Sequence, residues 1–274
     1  MHTPQALTRE AIADGLRKLG LSAKSVAVHS SLRSFGMVTG GPNAVIEALQ
    51  DICSTVLMPG FQCAAQIPPP PEKQLPQNGC DYAVHFDFVT APQPFNVETA
   101  PIHPKMGLLC HTFAKRPGVL RSNHPWHSWL GEGEHAAKWL ADHPWKTTNR
   151  PLEALAKAGG FVLFLGVELS SCTAVHIAEE RAGRHPFVRW AMDDKKAVRE
   201  VYTSGCAKGF DALIPHCRHL FRTVQIGNCA AQTAPIAELI DCLNSVIRTQ
   251  PELTRCSSQC LRCHDAILGG PSLG

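Results

Sequence analysis

The run Phe161-Val-Leu-Phe-Leu, closed by Gly166, constrains the fold more than any other stretch of this chain. It is an apolar segment of strand length ending at a glycine. A short polar turn, Ser171-Cys-Thr, follows it, and residues 174–181 then have helical composition. Strand, polar turn and helix start are the grammar of an α/β sheet, in which ligands gather at the carboxyl ends of strands. His176 and Glu179 stand three apart, so on a helix they share a face. A carboxylate there can fix the imidazole tautomer and support a charged ring. The same pair also fits a purely structural role at a helix start.

The grammar recurs near the amino terminus. Residues 7–19 place Leu7, Ile12, Leu16 and Leu19 among charges, with Gly20 behind them, which predicts an amphipathic helix with a glycine stop. Ser25-Val-Ala-Val-His29-Ser-Ser-Leu32 reads as a strand running into a polar turn, followed by a loop with Gly36, Gly40 and Gly41. A helix is predicted over 43–52 and a strand over 55–58, stopped by Pro59-Gly60. The glycine loop stands where backbone N–H groups receive phosphate or a thioester carbonyl, yet matches neither the dinucleotide fingerprint nor the P-loop. His29, Ser30 and Ser31 add donors at that strand end, or form an ordinary polar terminus.

Further helices are predicted over 106–116, 132–141, 151–160, 210–220 and 236–247, with strands at 196–202, on the sheet edge, and 224–227. Residues 62–104 show no period and contain Pro68-Pro-Pro-Pro71. They read as an insertion lying over the active-site cleft. Its acids, among them Asp81, Asp87 and Glu98, could contact a cationic substrate or be solvated surface groups. The turn from Arg121 to Trp129 carries Ser122, His124, His127 and Ser128 between two tryptophans. Such density suits ligand contact or a packed aromatic corner. With no repeat or linker, residues 1–274 are expected to form one domain.

Formal net charge is +3 with no lysine/arginine block, which argues against nucleic acid. No apolar run approaches the roughly 20 residues that span a membrane. The amino-terminal residues lack a secretory pattern, so a cytoplasmic location is expected. The 12 cysteines are then free thiols with, at most, a metal site. The tail, Cys256-x3-Cys260-x2-Cys263, has the spacing of thiolates around one zinc, and Cys206 is the candidate fourth ligand. Three unliganded thiols are the alternative.

Taken together, several segments resemble the aminoglycoside 3-N-acetyltransferase family, the antibiotic acetyltransferases that do not share the GNAT fold. They are Val28-His29-Ser30-Ser31-Leu32-Arg33-Ser34-Phe35-Gly36 with Gly40-Gly41; Leu57-Met58-Pro59; Met106-Gly107; Arg121-Ser122-x-His124-Pro125 with Ser128; Leu165-Gly166-Val167; and Thr173-x-x-His176-x-x-Glu179. The resemblance runs over roughly residues 5 to 265 in family order. It implies a three-layer α/β/α fold around a mixed β-sheet, acetyl-CoA as donor, and the 3-amino group of a 2-deoxystreptamine aminoglycoside as acceptor. On it, His176, Glu179 and Thr173 are the catalytic set. His29, Ser30, Ser31, Leu32, Phe35, Gly36, Met106, Arg121, Ser122 and His124 are the coenzyme-side residues. Read from the residues rather than from the resemblance, Asp81, Asp87, Glu98 and Glu180 are the candidate acceptor-side acids. The 62–104 insertion is only mildly acidic, a departure that implies a different acceptor pocket. The stretch from Tyr202 to Cys206 lacks the acid that some relatives carry near the histidine, which leaves a third triad member unassigned. Three other readings remain: an acyl-enzyme on Cys172, the same chemistry on another amine such as a biosynthetic intermediate, and a non-catalytic CoA- or antibiotic-binding protein.

Overall fold

The computed structural model describes residues 6–83 and 92–273. In chain order the elements are α1 (Arg9–Lys18), β1 (Ser25–Ser30), α2 (Gly41–Ile52), β2 (Thr55–Pro59), β3 (Gln66–Ile67), α3 (Gly107–Phe113), β4 (Leu120–Arg121), β5 (Trp129–Gly133), α4 (Ala136–Ala141) and α5 (Arg150–Lys157). They continue with β6 (Phe161–Leu165), α6 (Ala174–Arg181), β7 (Phe187–Met192), β8 (Val198–Thr203), α7 (Ile214–Cys217), β9 (Arg222–Ile226), β10 (Cys229–Pro235), α8 (Ile236–Thr249) and α9 (Leu261–Ile267).

Seven strands form one mixed sheet in the order β4-β5-β2-β1-β6-β10-β9. Its centre, β2-β1-β6, is parallel, and both flanks are antiparallel. The parallel strands are apolar through their centres, Val26–Val28 and Val56–Met58, and throughout Phe161–Leu165, because both faces are covered. Alternation decides which side chain enters which layer. Ala27, Leu57, Val162 and Phe164 pack under α4, α5, α6 and α8. Val26, Val28, Met58 and Leu163 pack under α1, α2 and α3. The result is the three-layer α/β/α arrangement around a mixed sheet that the sequence led us to expect. Because β1, β2 and β6 run the same way, their carboxyl ends open on one rim, and that rim carries the site.

A second, three-stranded antiparallel sheet has the order β3-β7-β8. It corrects two expectations. The strand expected on the main sheet's edge (196–202) is β8, the edge of this smaller sheet, paired with β7 from Phe187↔Thr203 to Met192↔Val198. None of the described residues of the 62–104 segment lines the cavity that contains His176. It supplies β3, which pairs Gln66 with Ala191, and Phe95, which packs on Ala191 and Val201. The helix expected over 132–141 begins only at Ala136, since residues 129–133 are strand β5. The helix expected over 210–220 is three short turns rather than one helix. Among the described residues, no helix is long and apolar enough to cross a membrane.

Candidate active site

Three strand ends meet at one cavity of about 380 Å³. β1 contributes His29 and Ser30, β2 contributes Pro59, and the turn after β6 contributes Ser170, Ser171, Cys172 and Thr173. His176 joins them from the first turn of α6, whose N-cap is Thr173. This is where an open α/β sheet positions ligands.

His176, Glu179 and Arg184 are all buried. The imidazole Nδ1 lies 2.7 Å from Glu179 Oε2. A carboxylate only accepts, so Nδ1 donates, and Nε2 is the nitrogen left to take a proton. Glu179 Oε1 accepts from the Arg184 guanidinium at 2.6 Å. Arg184 also donates to Thr254 Oγ1 at 2.7 Å and to the Pro251 carbonyl at 2.9 Å. The Phe210 ring meets the imidazole edge-on at 4.9 Å between centroids. The histidine is therefore clamped by packing and by a carboxylate that a cation holds in turn.

Arg184 is the residue that sequence reasoning left without a role, and the cause of its placement is local. Helix α6 ends in a Schellman motif: the Gly183 N–H donates to the Glu180 carbonyl at 3.0 Å and the Arg184 N–H to the Glu179 carbonyl at 3.0 Å. Gly183 adopts φ 96°, which L side chains rarely reach. The turn that stops the helix thus swings the guanidinium back onto the carboxylate. The readable signal was Arg-Ala-Gly-Arg directly after Glu179-Glu180.

The other expected residues separate into two groups. His29, Ser30, Met106 and Thr173 line the cavity with His176. His29 stacks on Phe164 at 6.0 Å and meets Trp129 edge-on at 6.1 Å, and its buried Nε2 has no hydrogen-bond partner among the described residues. Burial lowers its pKa to about 4. The structure does not bring Ser31, Leu32, Phe35, Gly36, Arg121, Ser122 or His124 to that wall. Phe35 is core, and Gly36 passes so close to Asn228 that a Cβ would meet its Nδ2 at 2.8 Å. Arg121 spends its guanidinium on Ser128 Oγ at 2.9 Å and on the carbonyls of Gly60, Ala100 and Pro101. Ser122 Oγ accepts from the Trp129 N–H at 2.8 Å and bonds His143 Nδ1 at 2.9 Å. His124 Nδ1 accepts from the N–H groups of Trp126 and His127 at 3.1 and 2.8 Å. That loop is a packed corner, and its cavity-facing members are Trp126 and His127.

Of the acceptor-side acids, Asp81, Glu98 and Glu180 are not among the residues lining the cavity. Asp81 is exposed and accepts from the Ala83 N–H. Glu98 is exposed and faces a different hollow beside Arg121. Asp87 lies outside the described residues. Glu180 turns to Thr148, whose hydroxyl donates to it, and burial raises its pKa to about 7. Cys172 faces the cavity but is 1% exposed, and burial pushes its thiol up to about 12. It stays protonated near neutral pH, whereas a nucleophilic cysteine acts as thiolate.

The four cysteines singled out from the sequence converge. The Sγ atoms of Cys206, Cys256, Cys260 and Cys263 all lie within 4.8 Å of one another. His264 stands outside, with Nδ1 3.1 Å from Asp265.

Comparison with known proteins follows the same direction. The aminoglycoside 3-N-acetyltransferase family matches residues 27–248. The SPbeta prophage-derived aminoglycoside N(3')-acetyltransferase-like protein YokD of Bacillus subtilis (strain 168) is 35% identical over 254 residues, covering 85% of this chain and 90% of that protein. Its crystal structure superposes with a TM-score of 0.78 at 26% identity, over 91% of this chain and 96% of that one. Aminoglycoside N(3)-acetyltransferase VII of Streptomyces paromomycinus is 31% identical over 191 residues, 64% of this chain and 61% of that protein. AAC-IIIb, solved as a binary complex with CoASH, shares the fold with a TM-score of 0.74 at 23% identity, covering 90% of this chain and 98% of that one.

Proposed function

Because the chain belongs to the aminoglycoside 3-N-acetyltransferase family, we propose that it transfers acetyl from acetyl-CoA to the 3-amino group of a 2-deoxystreptamine aminoglycoside, with His176 as general base, and that it thereby confers resistance in the cytoplasm. The observation that carries this reading is the buried His176–Glu179–Arg184 relay facing a cavity at the strand ends.

Acetyl-CoA supplies an activated acetyl carbonyl. His176 Nε2 takes a proton from the acceptor nitrogen, and Glu179 supports the imidazolium that forms. Arg184 keeps the Glu179 carboxylate oriented while this charge appears. The amine nitrogen bonds to the acetyl carbon, the carbon–sulfur bond breaks, and the thiolate released takes up a proton. The hydroxyls of Thr173 and Ser30, which line the cavity, are assigned as donors to the carbonyl oxygen as charge develops on it. His29, neutral by burial, fits the coenzyme side: its orphaned Nε2 needs a polar partner. The protonated Cys172 thiol weighs against an acyl-enzyme.

A thiol-release assay with acetyl-CoA and a panel of 2-deoxystreptamine aminoglycosides tests the reading. Acceptor-dependent release with several members is expected. Coenzyme binding without acceptor-dependent release would leave a binding protein. The charged residues on the cavity wall beside His176, among those described, are Lys105 and Arg262, both cationic. That favours a second reading, transfer to an amine with fewer positive charges than an aminoglycoside, so the panel includes simple monoamines.

The four-cysteine cluster is proposed as a structural zinc site. Four thiolates about 2.3 Å from one ion stand about 3.8 Å apart. Cys206–Cys256 and Cys256–Cys263 Sγ separations of 3.7 and 3.6 Å suit that geometry. Purified protein is expected to carry one zinc by mass spectrometry of metals. Chelation is expected to lower Tm by about 5–10 °C, as metal binding contributes directly to folding. Metal-free protein with an unchanged Tm rejects the site.

A further inference from the structure

The thiol cluster and the cavity share a wall. Cys206 sits between Gly205 and Ala207, and Arg262 sits directly before Cys263. Ser204, Gly205, Ala207 and Arg262 all line the cavity that holds His176. The cluster therefore ties two segments of that wall together, through Cys206 on one and Cys263, next to Arg262, on the other.

The charge of this wall has one sign. Arg262 and Lys105 are exposed on it, and neither side chain has an ion-pair partner among the described residues. No carboxylate stands among the described residues lining the cavity. An ammonium group gains nothing from such a wall, whereas a phosphate accepts charge-assisted hydrogen bonds from both cations.

We propose that Arg262, held in place by the cysteine cluster, and Lys105 bind the phosphate groups of coenzyme A, so that the integrity of the cluster sets coenzyme affinity. The proposal rests on the acetyl-CoA reading above. Arg262 is a binding residue here, and the four cysteines are positioning residues.

The test compares two donors that share the thioester, acetyl-CoA and S-acetylpantetheine, the second lacking phosphates. Arg262→Ala is expected to weaken coenzyme A binding about ten- to hundredfold by calorimetry, the range for one charged hydrogen bond. Its loss of kcat/KM with acetyl-CoA should exceed its loss with S-acetylpantetheine by tenfold or more. The weakening of coenzyme binding by added salt should be shallower than in the wild type. Arg262→Lys should recover part of the affinity, and Cys260→Ser should reproduce the donor-selective loss. Dephospho-coenzyme A separates the ribose phosphate from the diphosphate as the group contacted. Unchanged coenzyme affinity in Arg262→Ala, or equal losses with both donors, overturns the proposal while leaving the acetyltransferase reading intact. Wild-type affinity in Cys260→Ser overturns the part assigned to the cluster. A wild-type protein that binds no coenzyme A removes both.

Discussion

Replacing His176 with alanine is expected to lower kcat by roughly 10²–10⁴-fold, with little change in the affinity for either substrate. The expectation follows from geometry. The Nδ1 proton is committed to Glu179, so Nε2 is the basic atom on the cavity side of the relay. Removing a general base takes away stabilisation that exists only in the transition state, which lowers kcat and kcat/KM together. Glu179→Gln should fall between the wild type and His176→Ala, because an amide still holds the ring but supports its charge less well. The Arg184 guanidinium would also lose its ionic partner, so the comparison needs folded protein, checked by circular dichroism. A His176→Ala enzyme with wild-type kcat would end the general-base assignment.

Stability is expected to collapse as the solution is acidified from pH 6.5 towards 4. Four imidazoles, those of His29, His124, His127 and His143, are buried, and burial is the largest cause holding each below its usual pKa. The values fall to about 4 for His29 and His143 and about 3 for His127, and well below normal for His124. In the unfolded chain each titrates near 6.5, so the unfolded state binds more protons across this window. The contribution is fully present above the unfolded pKa and is lost as pH falls towards the folded values. Each site contributes about 1.4 kcal/mol per pH unit. Glu180, whose carboxyl pKa burial raises to about 7, opposes one of them above its unfolded pKa. The net therefore approaches about 4 kcal/mol per unit in the steep part of the window. Urea midpoints at pH 7.5, 6 and 5 measure it. A midpoint that stays level down to pH 5 contradicts the burial of these rings.

The legible part of the fold is the part where one physical effect dominates. Residues 25–59 and 161–181 were readable because apolar runs, glycine stops and helix periods agree there. Strand β10, Cys-Ala-Ala-Gln-Thr-Ala-Pro, has little intrinsic strand preference and exists through its pairing with β6 and β9. Strand β5 contains two glycines and was hidden for the opposite reason: a Cβ at Gly131 would meet Leu57 Cδ2 at 2.7 Å, so the pattern records crowding rather than a loop. At the site, His176 and Glu179 were visible because their spacing is helical. The convergence of Cys206 on the tail was inferred from chemistry, and the distances agree. Arg121, Ser122 and His124 misled because side chains rich in hydrogen-bonding groups serve a buried corner as readily as a ligand. Arg184 was missed because the Arg-Ala-Gly-Arg run marks where the helix ends but not which carboxylate the cation then meets.

That ending carries a consequence for how the protein can change. The guanidinium reaches its carboxylate only because five peptide steps separate them and the last of these reverses handedness. One inserted residue before the reversal would rotate the cation by about 100° around the axis and strand it in solvent. Length in this segment is therefore quantised: surface loops elsewhere can grow or shrink, but the count from acid to cation admits a single value.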